Sequence, residues 1–114
     1  MSMRDKHELI NEIKERLLSQ ISPISILLFG SIAKGKDTDD SDIDLLVVWD
    51  EQKDLPNVKR RIMLRKLIGI IDSPVDILTC NLSELENALA EQNSFTAQIV
   101  KEGELLYGRL DGLQ

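Results

Sequence analysis

Three observations predict that this chain has an α/β (α+β) fold, with helices packed against one small sheet. Short apolar, β-prone runs alternate along the chain with stretches whose apolar residues have helical spacing. The length of 114 residues supports one modest core, so residues 1–114 are expected to form a single domain. No repeat, low-complexity tract or linker interrupts the pattern.

The first half of the chain predicts one helix and two strands. Arg4 to Ile21 has amphipathic helical spacing, and Pro23 should end this helix because the residue before proline is pushed out of the α region. The run from Ile24 to Phe29 predicts the first strand. After a polar segment, Leu45 to Trp49 predicts a second strand that is buried on both faces.

The stretch from Asn57 to Ile71 predicts a second long helix with a broad apolar face. Its apolar residues are Val58, Ile62, Leu64, Leu67, Ile68 and Ile71. Its basic residues are Lys59, Arg60, Arg61, Arg65 and Lys66. A solvated basic face is the favoured interpretation, and a dock for an acidic partner or help with triphosphate charge is the alternative.

The C-terminal part predicts a third strand, two shorter helices and an edge strand. The third strand runs from Pro74 to Cys80. Ser83 and Glu86 have capping-box spacing and predict the start of a helix. A further helix is expected from Ser94 to Glu102, followed by a short edge strand from Leu105 to Tyr107.

Charge and cysteine content exclude several classes of protein. The net charge of −6 argues against a long nucleic acid as partner, because neutralising phosphates requires excess Lys and Arg. The single cysteine, Cys80, excludes an internal disulfide and, with only His7, leaves no zinc cluster. No signal-like or membrane-spanning run is present in the sequence, so the cytoplasm is the expected location.

The stretch from Phe29 to Asp50 carries the candidate site. Asp42 and Asp44 would project from the same side of an extended strand, roughly 6–7 Å apart. Two carboxylates at this spacing favour a divalent cation between them. Gly30 and Ser31 lie at the end of the first strand, where backbone N–H groups and a hydroxyl can hold phosphate oxygens. Metal and phosphate together indicate a nucleotide.

A third acid, Asp76, interrupts the apolar third strand. An adjacent strand could direct its carboxylate at the same pocket, and an acid within a strand is costly unless something binds it. A solvent-facing strand position is the alternative.

A P-loop nucleotide site is the competing motif. Gly30 to Lys36 matches its glycine and lysine spacing, but Asp37 replaces the Ser or Thr that binds magnesium. A P-loop must also open a helix of two or more turns, and the acidic segment after Lys36 cannot supply one. Asp37, Asp39 and Asp40 are expected to solvate that loop.

The pattern Gly30-Ser31, then Asp42 and Asp44, then Asp76, resembles the nucleotidyltransferase superfamily, and within it the minimal nucleotidyltransferase domains. The ending KEGELLYG also resembles how these small domains close. The resemblance implies a mixed sheet flanked by helices and transfer of a nucleoside monophosphate with release of pyrophosphate. It also implies two magnesium ions, about 4 Å apart, held by Asp42, Asp44 and Asp76, with Gly30 and Ser31 on the triphosphate.

Small proteins of this kind resemble antitoxins encoded beside a HEPN-type toxin, which they adenylylate. The resemblance therefore implies ATP as donor, a hydroxyl of the toxin protein as acceptor, and assembly with that partner or with further copies. A small-molecule acceptor such as an aminoglycoside is an alternative. A non-catalytic antitoxin that neutralises its partner by contact is another.

Overall fold

The computed structural model describes residues 5–36, 41–91 and 93–110. Within them, five helices and four strands follow each other along the chain. The helices are α1 (Lys6–Leu18), α2 (Gly30–Ala33), α3 (Asn57–Ile68), α4 (Leu82–Ala90) and α5 (Phe95–Glu102). The strands are β1 (Ser25–Phe29), β2 (Ile43–Val48), β3 (Val75–Cys80) and β4 (Glu104–Gly108).

The four strands form one mixed sheet in the order β3-β2-β1-β4. Strand β1 pairs antiparallel with β2 and with β4, whereas β2 and β3 are parallel. The edge position of β4 confirms the prediction for Leu105 to Tyr107. The mixed sheet with helices on both faces confirms the predicted fold class.

The sheet has two faces with different surroundings. We call the first the α1–α3 face, because α1 and α3 cover it and complete the larger core. Its strand residues are Ile26, Leu28, Ile43, Leu45, Val47, Val75 and Ile77. We call the second the acid face. Its apolar residues Leu27, Leu46, Val48 and Cys80 pack against α4 and α5. Asp44 and Asp76 lie on the same face, near the starts of β2 and β3.

Helix α1 packs as its pattern predicts, although it is shorter. Asp5 caps its first turn by accepting from the Glu8 N–H at 2.8 Å. The helix ends at Leu18 rather than near Ile21, because the side chains of Ser19 and Gln20 both donate to the Arg16 carbonyl. The predicted start at Arg4 lies outside the described residues.

Helix α3 corrects the sequence-based orientation. Val58 and Ile62, predicted to be buried, are 61% and 50% exposed. Arg60, predicted on a solvated face, is fully buried. Its guanidinium lies 4.7 Å from the centre of the Trp49 ring and donates to the Trp49 carbonyl. A buried cation with an aromatic ring and a backbone acceptor therefore takes the place of an apolar residue.

Two helix boundaries in the C-terminal half also differ from the prediction. Helix α3 ends at Ile68 rather than Ile71, because Gly69 adopts φ 68° and breaks the helical path. The capping box is formed by Asn81 and Glu84, not by Ser83 and Glu86. Asn81 Oδ1 accepts from the Glu84 N–H at 2.8 Å, and Glu84 Oε1 accepts from the Asn81 N–H at 2.9 Å.

Candidate active site

Asp44 and Asp76 lie side by side on the acid face. Strands β2 and β3 pair these two residues in register. Backbones of paired strands are about 4.8 Å apart, and paired side chains share a face. Asp76 is solvent-exposed, as the alternative interpretation held, and it is also paired with a second acid.

Asp42 directly precedes β2 and is exposed to solvent. Partial burial raises the pKa of the Asp44 carboxyl above its ordinary value, and the nearby carboxylates of Asp76 and Asp42 raise it further. Asp44 is thus close enough to Asp76 and Asp42 to be repelled by both carboxylates. A bound cation would relieve that repulsion.

Because Gly30 has no side chain, the Asp44 carboxylate can lie directly beside its Cα atom. A Cβ atom on Gly30 would lie 2.2 Å from Asp44 Oδ2, well inside contact distance. Gly30 also has φ 78°, which L side chains rarely adopt. The phosphate-binding candidate Gly30 and the metal-binding candidate Asp44 are therefore in direct contact, as expected of two parts of one site.

Ser31 lies in the first turn of α2 and is half-buried. It does not cap this helix, because the N-cap position is Phe29 and no side chain forms a cap hydrogen bond. The first N–H groups of a helix have no acceptor within the helix, so the backbone of this turn can receive phosphate oxygens. Helix α2 ends at Ala33, before Gly35 and Lys36, and so lacks the P-loop arrangement.

Arg61, which the sequence analysis favoured as part of a solvated basic face, is a residue of this site. Its Nε donates to the Ile77 carbonyl at 2.7 Å, and its Nη2 lies 3.4 Å from Asp76 Oδ1. Arg65, one turn later on α3, donates to the Val75 carbonyl. The i, i+4 spacing of the two arginines was visible in the sequence, but the strand edge that they contact was not.

Lys6 is a residue that the sequence analysis missed. Its Nζ donates to the Ser41 carbonyl at 2.9 Å and to Ser73 Oγ at 2.6 Å. Ser41 directly precedes Asp42, and Ser73 lies just before β3. Lys6 thus ties together the two segments that lead into the acidic strands, and nothing in the charged pattern of α1 distinguished it.

The residues fit a magnesium ion by donor type and by charge. Mg²⁺ prefers carboxylate oxygens, which Asp42, Asp44 and Asp76 supply. Among the described residues, no three acidic, histidine or cysteine side chains already stand at a spacing that could hold an ion. Binding therefore requires the carboxylates to turn toward one another, and Asp76 must share or leave its contact with Arg61. The acids Asp37, Asp39 and Asp40 lie outside the described residues.

A cavity of about 210 Å³ opens beside Gly30, between the end of β1 and α5. Phe29 and Phe95 form an edge-to-face pair in its wall, with ring centres 6.0 Å apart. Across it, Lys34 Nζ lies 3.7 Å from Glu102 Oε2. The wall combines aromatic and charged groups.

No helix in the described ranges is long and apolar enough to cross a membrane.

The fold and the acid pair define a nucleotidyltransferase. The family model "Polymerase beta, Nucleotidyltransferase" matches residues 11–111, and the chain belongs to this family. The chain is 33% identical over 100 residues to "Putative protein adenylyltransferase MJ0604" of Methanocaldococcus jannaschii, covering 88% of this chain and 92% of that protein.

Solved structures agree with this assignment. A nucleotidyltransferase structure from Sulfolobus solfataricus aligns with a TM-score of 0.65 and 26% identity, over 92% of this chain and 82% of that one. The structure titled "Crystal structure of the toxin-antitoxin with AMP-PNP" aligns with a TM-score of 0.59 and 28% identity, over 88% of this chain and 73% of that one. The predicted membership of the nucleotidyltransferase superfamily is therefore confirmed.

Proposed function

We propose that this nucleotidyltransferase transfers AMP from ATP to a hydroxyl of a partner protein. The partner is a HEPN-type toxin, and the chain is its antitoxin. Asp42, Asp44 and Asp76 form the metal-dependent catalytic site, and Gly30 and Ser31 hold the triphosphate. The chain acts as a single domain, in the cytoplasm.

One observation carries the proposal: Asp44 is paired with Asp76 across β2 and β3, and its carboxylate packs against Gly30. It places two repelling carboxylates beside a helix start that can receive phosphate. Magnesium held by these carboxylates would neutralise the triphosphate and lower the pKa of the attacking hydroxyl. The acceptor oxygen forms a bond to the α-phosphorus, the bond to the β-phosphate oxygen breaks, and pyrophosphate leaves.

The residues of the chain have separate roles in this reaction. Gly30 and Ser31 orient the β and γ phosphates so that the leaving group lies in line with the acceptor. Asp76 receives the proton of the acceptor hydroxyl or holds the cation that lowers its pKa. Asp42 and Asp44 would hold the cation, which would supply positive charge to the triphosphate. No cysteine or serine nucleophile is needed.

The comparisons support the donor and the partner class. A similar structure is a toxin–antitoxin with AMP-PNP, an analogue of ATP, and similar archaeal proteins carry the name protein adenylyltransferase. The net charge of −6 also favours a protein acceptor over a long nucleic acid.

The test is label transfer from ATP labelled at the α-phosphate. The protein, Mg²⁺ and labelled ATP are incubated with the purified product of the adjacent gene. We expect the label on the partner band, and the Asp42→Asn, Asp44→Asn double variant should give none. The labelled residue is then identified by mass spectrometry.

The other outcomes decide between the alternatives. Label on an added aminoglycoside, with no label on protein, would replace the protein acceptor by a small molecule. Unlabelled partner that still binds, with toxin neutralised equally by the double variant, would make the chain an antitoxin that acts by contact. Release of γ-phosphate without pyrophosphate would indicate P-loop chemistry instead.

A further inference from the structure

Arg61 reaches the acid face from the opposite side of the sheet. It belongs to α3, which packs on the α1–α3 face, and β3 is an edge strand. Its side chain therefore extends around the edge of β3, where Nε bonds the Ile77 carbonyl and Nη2 faces Asp76 Oδ1 at 3.4 Å. The Ile77 bond fixes the guanidinium next to Asp76.

We propose that Arg61 is a positioning residue that serves as the counter-ion of Asp76 before a divalent cation binds. Its guanidinium orients the Asp76 carboxylate and competes with the metal for it. Binding of the metal requires Asp76 to share or give up this ion pair, and Arg61 therefore sets the metal affinity of the site.

The geometry of the acids carries this inference. Among the described residues no three acidic, histidine or cysteine groups stand ready to hold an ion, and one oxygen of Asp76 faces Arg61 instead. Both side chains are about half exposed, 41% for Arg61 and 51% for Asp76. An ion pair of this exposure is weak, so a metal can displace it.

Arg65 provides a matched comparison on the same helix. It donates to the Val75 carbonyl of the same strand edge, as Arg61 donates to the Ile77 carbonyl. The ion pairs of the described residues include Arg61 with Asp76 but not Arg65 with Asp76. Removing either arginine frees one edge carbonyl, whereas only removal of Arg61 also removes an ion pair with Asp76.

The experiment is Mn²⁺ binding to the nucleotide-free protein, followed by electron paramagnetic resonance. Arg61→Gln should bind Mn²⁺ about two- to fivefold tighter than the natural protein, which is the fold-change expected from a half-exposed ion pair. Arg65→Gln should stay within about twofold of the natural protein. Arg61→Lys keeps the charge but loses the bond to the Ile77 carbonyl, so its Mn²⁺ affinity should lie between those of the natural protein and Arg61→Gln.

A double-mutant cycle isolates the contact. In an Asp76→Asn background, Arg61→Gln should no longer change Mn²⁺ affinity. Weaker or unchanged Mn²⁺ binding in Arg61→Gln would overturn the proposal. An equal gain with and without Asp76 would also overturn it, because Arg61 would then act through the general field. Thermal unfolding of each variant confirms that a folded protein is being measured.

Turnover gives a second readout that rests on the proposed function. If Asp76 takes part in AMP transfer, Arg61→Gln should lower kcat while it tightens metal binding. A merely structural role would weaken both together. Absence of transfer by the natural protein would contradict the proposed function, and the Mn²⁺ result would still decide the role of Arg61.

Discussion

Strand β2 serves the two faces of the sheet with alternate residues. Ile43, Leu45 and Val47 point into the core under α1 and α3, whereas Asp44 points to the acid face. On the first face these strand residues are buried in the larger apolar core. On the second, Asp44 meets Asp76 across the strand pair and Gly30 at the end of β1.

Residues of β2 that face α1 and α3 therefore contribute to the stability of the fold, whereas Asp44 on the other face contributes to the chemistry of the site. The α1–α3 face stabilises the fold by burying apolar area. At the acidic end of the other face, like charges are held together, which by itself opposes folding. Substitutions at adjacent positions should therefore have different effects.

Asp44→Asn is the substitution with the largest expected effect. It removes the carboxylate that packs against Gly30 and belongs to the residue paired with Asp76. We expect AMP transfer to fall at least about a hundredfold, the cost of losing one electrostatic group at a reacting centre. Because it also removes like-charge repulsion, the midpoint of thermal unfolding should not fall. Lost transfer accompanied by unfolding would contradict the separation of roles.

Leu45→Ala changes the next residue and should show the opposite behaviour. Leu45 is 1% exposed within the larger core, and such truncations cost about 2–5 kcal/mol in free energy of unfolding. Urea unfolding measures this loss. Transfer per folded molecule should stay close to that of the natural protein, and a selective loss of turnover would show that the two faces are coupled.

Gly30→Ala sharpens the comparison, with Gly35→Ala as its control. Both glycines have positive φ, 78° and 70°, so both variants should lose about 1–2 kcal/mol of stability. A Cβ on Gly30 meets Asp44 Oδ2, whereas a Cβ on Gly35 meets nothing within 4 Å. Since a carboxylate can move aside, the extra cost of Gly30→Ala should appear in transfer activity. Equal activity in both variants would refute a shared site of Gly30 and Asp44.

Helix α3 shows which part of the fold was not predictable from the sequence. Its apolar pattern suggested that Val58 and Ile62 face inward, yet Arg60 takes the buried position. A guanidinium can be buried there because the Trp49 ring and carbonyl receive it, with further acceptors at the Glu51 carbonyl and Asn57 Oδ1. Trp49 and Glu51 belong to the segment after β2. A helical pattern contains no information about such a partner.

The capping box of α4 and the contacts of Arg61 were also not predictable from local sequence patterns. The sequence NLSELE contains two overlapping capping patterns, and local spacing does not choose between Asn81 and Ser83. By contrast, the order of helices and strands was confirmed, because it follows from local periodicity. The structure also places Asp76 beside Asp44, as the sequence analysis expected. Arg61 was placed on a solvated face, since its contacts depend on how α3 packs beside the edge of β3.

The smallest predicted effect concerns Cys80. This residue lies on the part of the acid face that α4 and α5 bury. Burial, followed by the nearby Glu84, raises the pKa of the Cys80 thiol from 9.0 to about 11. The folded thiol thus stays neutral where the unfolded thiol ionises. Its contribution to stability should be complete below pH 9 and decrease as the pH rises toward 11.

The measurement for Cys80 is the difference in free energy of unfolding between the natural protein and Cys80→Ala, followed from pH 8 to 10.5. This difference should shift steadily in favour of the variant above pH 9, because other titrating groups cancel. A difference that does not change with pH would show that the thiol is not buried in the folded state.

The stoichiometry of the products tests the central claim most directly, namely that the acid face transfers a nucleoside monophosphate. Pyrophosphate released from ATP is counted against AMP bound to the partner, for the natural protein and for Asp44→Asn. We predict one pyrophosphate for each AMP transferred, and neither product from the variant. Transfer that persists in Asp44→Asn, or release of phosphate in place of pyrophosphate, would contradict the account.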